Sequence, residues 1–340
     1  MLIGPLQGTR VLDLTRLIPG PYATLLLADL GADVVKIEDP ALGDYLREIS
    51  PGMYAALNRG KRSACIDLKS PEGVAALRRL CATADVLVEG FRPGVLARLG
   101  LEFSDFPRLV VCSISGFGQT GPWRDRAGHD IGYIALSGVL ARCRTLPGVQ
   151  LADFFGGGQQ AAIAVLAALL ERVRTGRGRF LDVAMAEGAL GFVLPYVSGS
   201  VEALLGEHPC YRVYPCRDGR RLALGALEPK FWARFCAAVA QPSWVERQFD
   251  AALTSSVDAL LLSRTRDEWD GFLKPFDCCS EAVLEVSELA AHPLMIARDL
   301  FIDGFLRTLP ALVPTASLPR GAAPTLGQHT AEILGGFSAR

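Results

Sequence analysis

LDLTRLIPGPYATLLLADLGADVVKIE, Leu12–Glu38, decides the fold. Thr9–Leu14 reads as a buried strand, and Pro21 presets the backbone of a first helical turn. Gly31 stops that turn's continuation, so Pro21–Leu30 reads as a helix. Ala32–Glu38 is rich in branched residues and reads as a second strand. Strand, helix and strand in that order build a parallel sheet, because parallel neighbours need a crossover between them.

Such a unit first suggests a dinucleotide site, with Glu38 standing where a ribose-binding acid would. The turn Thr15–Pro21 excludes it: it lacks G-x-G-x-x-G, and Pro19 and Pro21 have no N–H for a pyrophosphate. Glu38 is therefore read as a strand-terminal surface charge.

The alternation continues outward. Ser70-Pro71-Glu72 is an N-cap, an N1 proline and a first-turn acid opening the helix Gly73–Ala82. Ala84–Glu89 and Leu109–Ile114 are short apolar strands, and Arg179–Ala184 is another. Beyond a helix to about Tyr196 the pattern changes. Tyr211–Cys216 and Arg221–Ala226 form a hairpin around Arg217-Asp218-Gly219-Arg220. A helix follows Glu228-Pro229, then a helix Arg266–Phe272 and a strand Ala282–Val286. The reading is α/β: a large Rossmann-like domain with a parallel sheet, residues 1–199 completed by 309–340, and a smaller α+β domain, 200–308. The tail with Pro310, Pro314, Pro319 and Pro324 is expected to run extended before a short helix at Gln328–Leu334.

Among 340 residues, 35 are basic and 36 acidic, for a net charge of −1. No basic field invites nucleic acid or an anionic membrane surface. The longest apolar run, Ala161–Leu170, falls short of the roughly 18–20 residues that span a bilayer. No secretory signal precedes Thr9, and the nine cysteines contain no C-x-x-C. Cys65, Cys81, Cys112 and Cys236 sit in apolar segments and read as small buried hydrophobes in a reducing, cytoplasmic setting. No Cys/His spacing supports a metal.

Two short motifs carry chemistry. Gly128-His129-Asp130 supplies one of four imidazoles. Leu151-Ala152-Asp153-Phe154-Phe155-Gly156-Gly157-Gly158 supplies a carboxylate before three glycines and a helix from Gln159 to about Arg172. A histidine and an aspartate on separate segments can work as an acid/base pair on opposite sides of one carbon. Glycines opening a helix would offer free N–H groups to a developing oxyanion. The bland readings are a polar cap for a helix Asp130–Leu140 and a first-turn acid.

Seven stretches together resemble the family III CoA-transferases (CaiB/BaiF), and within them the α-methylacyl-CoA racemases. They are Leu12–Glu38, NRGKRSACIDLKSPEG (Asn58–Gly73), VEGFRPGVLARLGL (Val88–Leu101), SGFGQTGP (Ser115–Pro122), GHDIGY (Gly128–Tyr133), ADFFGGG (Ala152–Gly158) and LGALEPKFW (Leu224–Trp232). The resemblance implies an interlocked homodimer acting on an acyl-CoA thioester. It needs no cofactor, since CoA belongs to the substrate. In transferases the aspartate is a nucleophile; in racemases it pairs with the histidine of GHD, a position where transferases have a non-ionisable residue. His129 therefore favours a racemase, with a CoA-transferase using Asp153 as the alternative. The same resemblance implies that Glu228 orients the histidine from the other subunit. Asp130 and Tyr133 are implied near the thioester, and Arg92, Lys61, Arg62, Leu68 and Lys69 along the CoA cleft.

Two departures bear on the substrate. Asp39 stands where racemases carry an arginine near the adenine. Gln159 and Gln160 replace a more apolar, methionine-bearing stretch, leaving room for a smaller or more polar acyl group.

Overall fold

β1 (Arg10–Leu14) and β2 (Asp33–Glu38) lie side by side and parallel, with Asp13 opposite Lys36 in register. This computed structural model describes residues 4–143, 145–199, 202–309 and 321–335. Helix α1 (Pro19–Asp29) joins the two strands. It starts two residues before the expected Pro21. Both prolines fall in the first turn, where a missing N–H costs nothing.

β3 (Arg62–Cys65), β4 (Val86–Glu89), β5 (Val110–Ser115) and β6 (Phe180–Ala184) complete a six-stranded sheet in the order β3-β2-β1-β4-β5-β6. All its pairs are parallel. Helix α2 (Pro71–Cys81) links β3 to β4, and Ser70 Oγ caps it by accepting the Gly73 N–H at 3.0 Å. The direction of winding reverses between β1 and β4. In open parallel sheets, crevices form beyond the strands' carboxyl ends at that switch.

Charge sits inside this sheet. Asp13, Lys36 and Lys61 are fully buried at the side chain. Lys36 Nζ pairs with Asp44 at 2.9 Å and donates to Thr15 O at 2.9 Å. Lys61 Nζ reaches Asp13 at 3.2 Å, Thr24 Oγ1 at 2.7 Å, Asn58 Oδ1 at 3.0 Å and Pro21 O at 2.9 Å. Burial alone would discharge such groups. Here it is outweighed for Asp13, which Lys36, Lys61 and two threonine hydroxyls hold well below the usual carboxylate range. Burial does win at Lys61, bringing its pKa down to about 8 against the pull of Asp13.

Glu38 is not the surface charge expected. It is 4% exposed and takes Arg47 on both oxygens, with Ser63 Oγ and the Asp44 N–H as further donors. At the edge strand β3, the Ser63 N–H goes to His329 Nδ1 at 3.1 Å and the Cys65 N–H to Thr330 Oγ1 at 2.9 Å. The last described segment, including a helix Thr330–Gly335, thus covers the sheet's edge. The stretch holding Pro310, Pro314 and Pro319 lies outside the described residues.

Helix α3 (Asp130–Leu136) is shorter than expected, because Gly138 at φ 81° interrupts it before Val139–Arg142. The glycine motif does not open a new helix. Ala152–Gln159 is a π-helical segment continuous with α4 (Gln160–Thr175). Together they make 24 residues, the one helix among those described with the length and composition to cross a membrane. It packs against α1 instead.

Two compact units separate by contacts: Met1–Val193 with Ala297–Arg340, and Leu194–Ile296. The second holds the antiparallel sheet β7 (Tyr211–Pro215), β8 (Arg221–Gly225) and β9 (Ser280–Ala282). Helices α5 (Pro229–Ala238) and α6 (Arg266–Leu273) close its core on Trp232, Phe235 and Trp269. Both indole N–H groups are satisfied, on Trp244 O and Leu261 O, as buried tryptophans require.

Lys36→Met is expected to destabilise the protein by roughly 3–5 kcal/mol in urea unfolding, because it strands buried carboxylates. Adding Asp44→Asn should recover part of the loss. An unchanged unfolding midpoint in the single variant would show that the ion pair holds nothing.

Candidate active site

A crevice of about 180 Å³ opens where the sheet's winding reverses. Thr15, Arg16 and Leu17 line it from the turn after β1, Gly90 from the end of β4 and Ile114 from β5. His129, Tyr133 and Asp153 also line it. The turn is fastened from below: Asp13 accepts the Thr15 N–H at 2.9 Å, and Asp44 accepts the Leu17 N–H at 3.1 Å. Leu17 has φ 66°, a left-handed conformation costing a non-glycine residue roughly 1–3 kcal/mol unless its surroundings hold it. The buried ion cluster is what holds it.

His129 stands at the N-cap position of α3, but its side chain makes no cap hydrogen bond, so the capping reading fails. The imidazole is exposed toward the crevice it lines. Asp130, next in the chain, is buried, and its Oδ2 accepts the Asp153 N–H at 2.9 Å. That bond ties the two motifs together. The Asp153 carboxyl is pushed up to about 6 by burial, then by the Asp130 charge, with His129 opposing. A carboxyl poised there can exchange a proton near neutrality, which suits general acid/base work. Burial, with Asp153 and Asp130 nearby, also raises the Tyr133 hydroxyl to about 12.

The glycines have a different task from the expected one. They lie inside the helix, where N–H groups are already bonded, so they are not free oxyanion donors. A Cβ on Gly156 would meet Met185 O at 2.6 Å, and one on Gly158 would meet Pro19 O at 2.8 Å. They let the helix press close to its neighbours, and that approach sets where Asp153 stands in the first turn.

Two expected CoA residues are committed elsewhere. Lys61 is buried with its ammonium spent on internal partners. Arg62 is engaged with Asp33 and Glu332. Leu68 packs on the core beneath the sheet, and Lys69 is exposed. Asp39 folds back on its own turn, Oδ1 accepting the Ala41 and Leu42 N–H groups. Gln159 and Gln160 are exposed. Glu228 belongs to the second unit, exposed at the head of α5, and its side chain does not cap that helix.

Arg92 is exposed, donates to Asp125 O at 3.1 Å and lines a second cavity of about 240 Å³. Glu89 lies in that wall. Burial raises its carboxyl to about 7, although the Ser113 hydroxyl and the Phe91 N–H both donate to it. Sequence reasoning passed over the Thr15–Leu17 wall, having used that turn only to exclude a dinucleotide. Its position beyond a switch-point strand was the signal.

The model of CoA-transferase family III matches residues 6–330. The chain is 36% identical to the human protein named alpha-methylacyl-CoA racemase, over 98% of this chain and 93% of that one. It is 33% identical to the succinate–glutarate CoA-transferase of Agrobacterium fabrum, over 97% and 95% respectively. A crystal structure of a CAIB/BAIF family protein from Brucella suis superposes with a TM-score of 0.84 at 29% identity, covering 98% of this chain and 100% of that one. The fold, the crevice at its switch point and these matches agree: the chain belongs to CoA-transferase family III.

Proposed function

We propose that the protein inverts the α-carbon of a 2-methylacyl-CoA thioester. One member of the His129/Asp153 pair removes the α-proton, an enolate forms, and the other member returns a proton to the opposite face. The observation that carries this reading is that one crevice is lined by an imidazole and, from a separate segment, by a carboxyl poised near neutrality. In this reading Asp130 and Tyr133 neighbour the thioester, and Arg92 and Lys69 lie toward the nucleotide. The reaction needs no cofactor beyond the CoA of the substrate.

A CoA-transferase is the second reading, favoured by relatives such as the succinate–glutarate enzyme. There the Asp153 carboxylate attacks the thioester carbonyl and expels CoA thiolate, giving a mixed anhydride. The thiolate then attacks the Asp153 carbonyl, releasing the acid and leaving an aspartyl-CoA thioester for an acceptor carboxylate. The two readings part in D₂O. A racemase takes up α-deuterium from solvent with no acceptor acid present, whereas a transferase moves CoA onto an added acid.

An interlocked homodimer is part of the proposal, with the partner subunit's Glu228 orienting His129. Exposed apolar side chains on the first unit support a partner surface: Ile131, Leu136, Phe155, Ile163, Leu190 and Phe192. Large exposed apolar surface commonly marks an interface.

His129→Ala and Asp153→Asn should each lower α-deuterium exchange by roughly 10²–10⁴-fold, the usual contribution of a general acid or base. The fold should persist in both, checked by circular dichroism. Wild-type exchange in either variant would remove that residue from the mechanism.

The productive pair carries one proton, and the form with two is inactive. The acid limb of kcat/KM should therefore lie near the Asp153 pKa of about 6. Asp130→Asn removes a like charge, so the limb should move to lower pH, while the amide oxygen of the new side chain still accepts the Asp153 N–H. A limb that stays put or rises would contradict the assignment.

Neither His129→Ala nor Glu228→Gln homodimers should be fully active. Co-expression of the two chains should regenerate, in heterodimers, one site with both groups intact. Activity no higher than the parents' average, or a monomer in sedimentation at micromolar concentration, would exclude the shared site.

A further inference from the structure

We propose that Arg16 selects an acyl group ending in a carboxylate; this deepens the acyl-CoA reading above and rests on it. Arg16 is the one permanent cation among the residues lining the crevice with His129 and Asp153. It is not a loose surface arginine. Its neighbours on both sides are pinned to the buried cluster, Thr15 through Asp13 and Lys36 and Leu17 through Asp44. The guanidinium lies 5.0 Å from the Tyr45 ring centre and donates from Nη1 to the Tyr45 hydroxyl at 2.9 Å. That is its one hydrogen bond among the described residues. Asp39 is near enough to feel the charge, but among the described residues no ion pair joins it to Arg16, and its Oδ1 accepts two backbone N–H groups.

A guanidinium held in this way has donors to spare. An aliphatic tail placed against it would strip away water and return nothing. A carboxylate would replace that water with charge-assisted, bidentate hydrogen bonds, the geometry for which arginine is suited. At about 180 Å³ the crevice is smaller than the roughly 300–1,000 Å³ of drug-sized pockets, so a short acyl group fits it better than a nucleotide.

The test compares two thioesters of one shape, 2-methylglutaryl-CoA acylated through C1 and 2,5-dimethylhexanoyl-CoA, in which an isopropyl group replaces the carboxylate. Binding is measured by calorimetry and α-deuterium exchange by mass spectrometry, for wild type, Arg16→Lys and Arg16→Leu, with free CoA as a third ligand. Wild type should bind the carboxylated thioester roughly tenfold to hundredfold more tightly, the range of a charged hydrogen bond. Arg16→Leu should bring the ratio close to one, and Arg16→Lys should keep part of it. Melting temperatures confirm that both variants fold. A wild-type ratio near one, or a ratio unchanged in Arg16→Leu, overturns the proposal. So does an equal weakening of both thioesters and free CoA, which would assign Arg16 to a phosphate. A binding preference lost with Arg16 while neither thioester exchanges deuterium supports the carboxylate site and removes the racemase reading alone.

Discussion

Everything at the crevice depends on two lysines buried among carboxylates beneath it. Parallel sheets covered on both faces are ordinarily built from uninterrupted aliphatic strands. Here Asp13 and Lys36 face each other across β1 and β2, with Lys61 and Asp44 completing the cluster. Replacing such a cluster by well-packed apolar groups often costs nothing in stability. Its value lies in position. An apolar core would leave the turn after β1 free to choose its shape. Four charges with fixed partners dictate where Thr15 and Leu17 place their backbones, including the left-handed geometry at Leu17.

Around Asp153 the design is the opposite. Its charge has a like charge nearby in Asp130, and the side chain is half-buried in the crevice wall. The start of a helix favours a carboxylate, yet burial and the neighbouring acid prevail. The carboxyl is therefore ready to take or release a proton instead of serving as a permanent counter-ion. Three glycines make this possible by removing side chains that would hold the helix away from Pro19 and Met185. Ion cluster and glycine face thus bring two walls of one crevice together from different directions.

Much of the fold was legible because its signals are local. Proline at the start of α1, glycine after it and branched residues in β2 each act on their own backbone, and the strand–helix alternation follows. β3 was missed because Arg62-Ser63-Ala64-Cys65 is short and its pairing is written in Val35–Glu38, not in itself. The same limit explains Glu38 and Lys61. A charge in a sequence reads as solvated unless its partner is visible, and Arg47 and Asp13 become partners only once the chain has folded. The glycines of ADFFGGG misled in another way. They were read as the opening of a helix, where N–H groups are free, and here they are needed inside it for close packing, which depends on segments far along the chain. His129 and Asp153 were singled out by their motifs and by the resemblance; the bond from the Asp153 N–H to Asp130 was not, since it joins backbone to side chain across a gap no pattern records.

The covering of β3 by the chain's last described segment has a consequence for how the molecule is made. An uncovered edge strand is a template for pairing with other chains. Ser63 and Cys65 find their acceptors on His329 and Thr330, separated from them by the whole of the second unit. During synthesis, domains generally fold as they emerge, amino-terminal parts first. The large unit of this protein must instead wait, its sheet assembled but its rim open, while the second unit is translated. The ribosome therefore holds a nearly finished nucleus with one adhesive border, and the codons for residues 321–335 decide whether that border is sealed by its own chain or by a neighbour's.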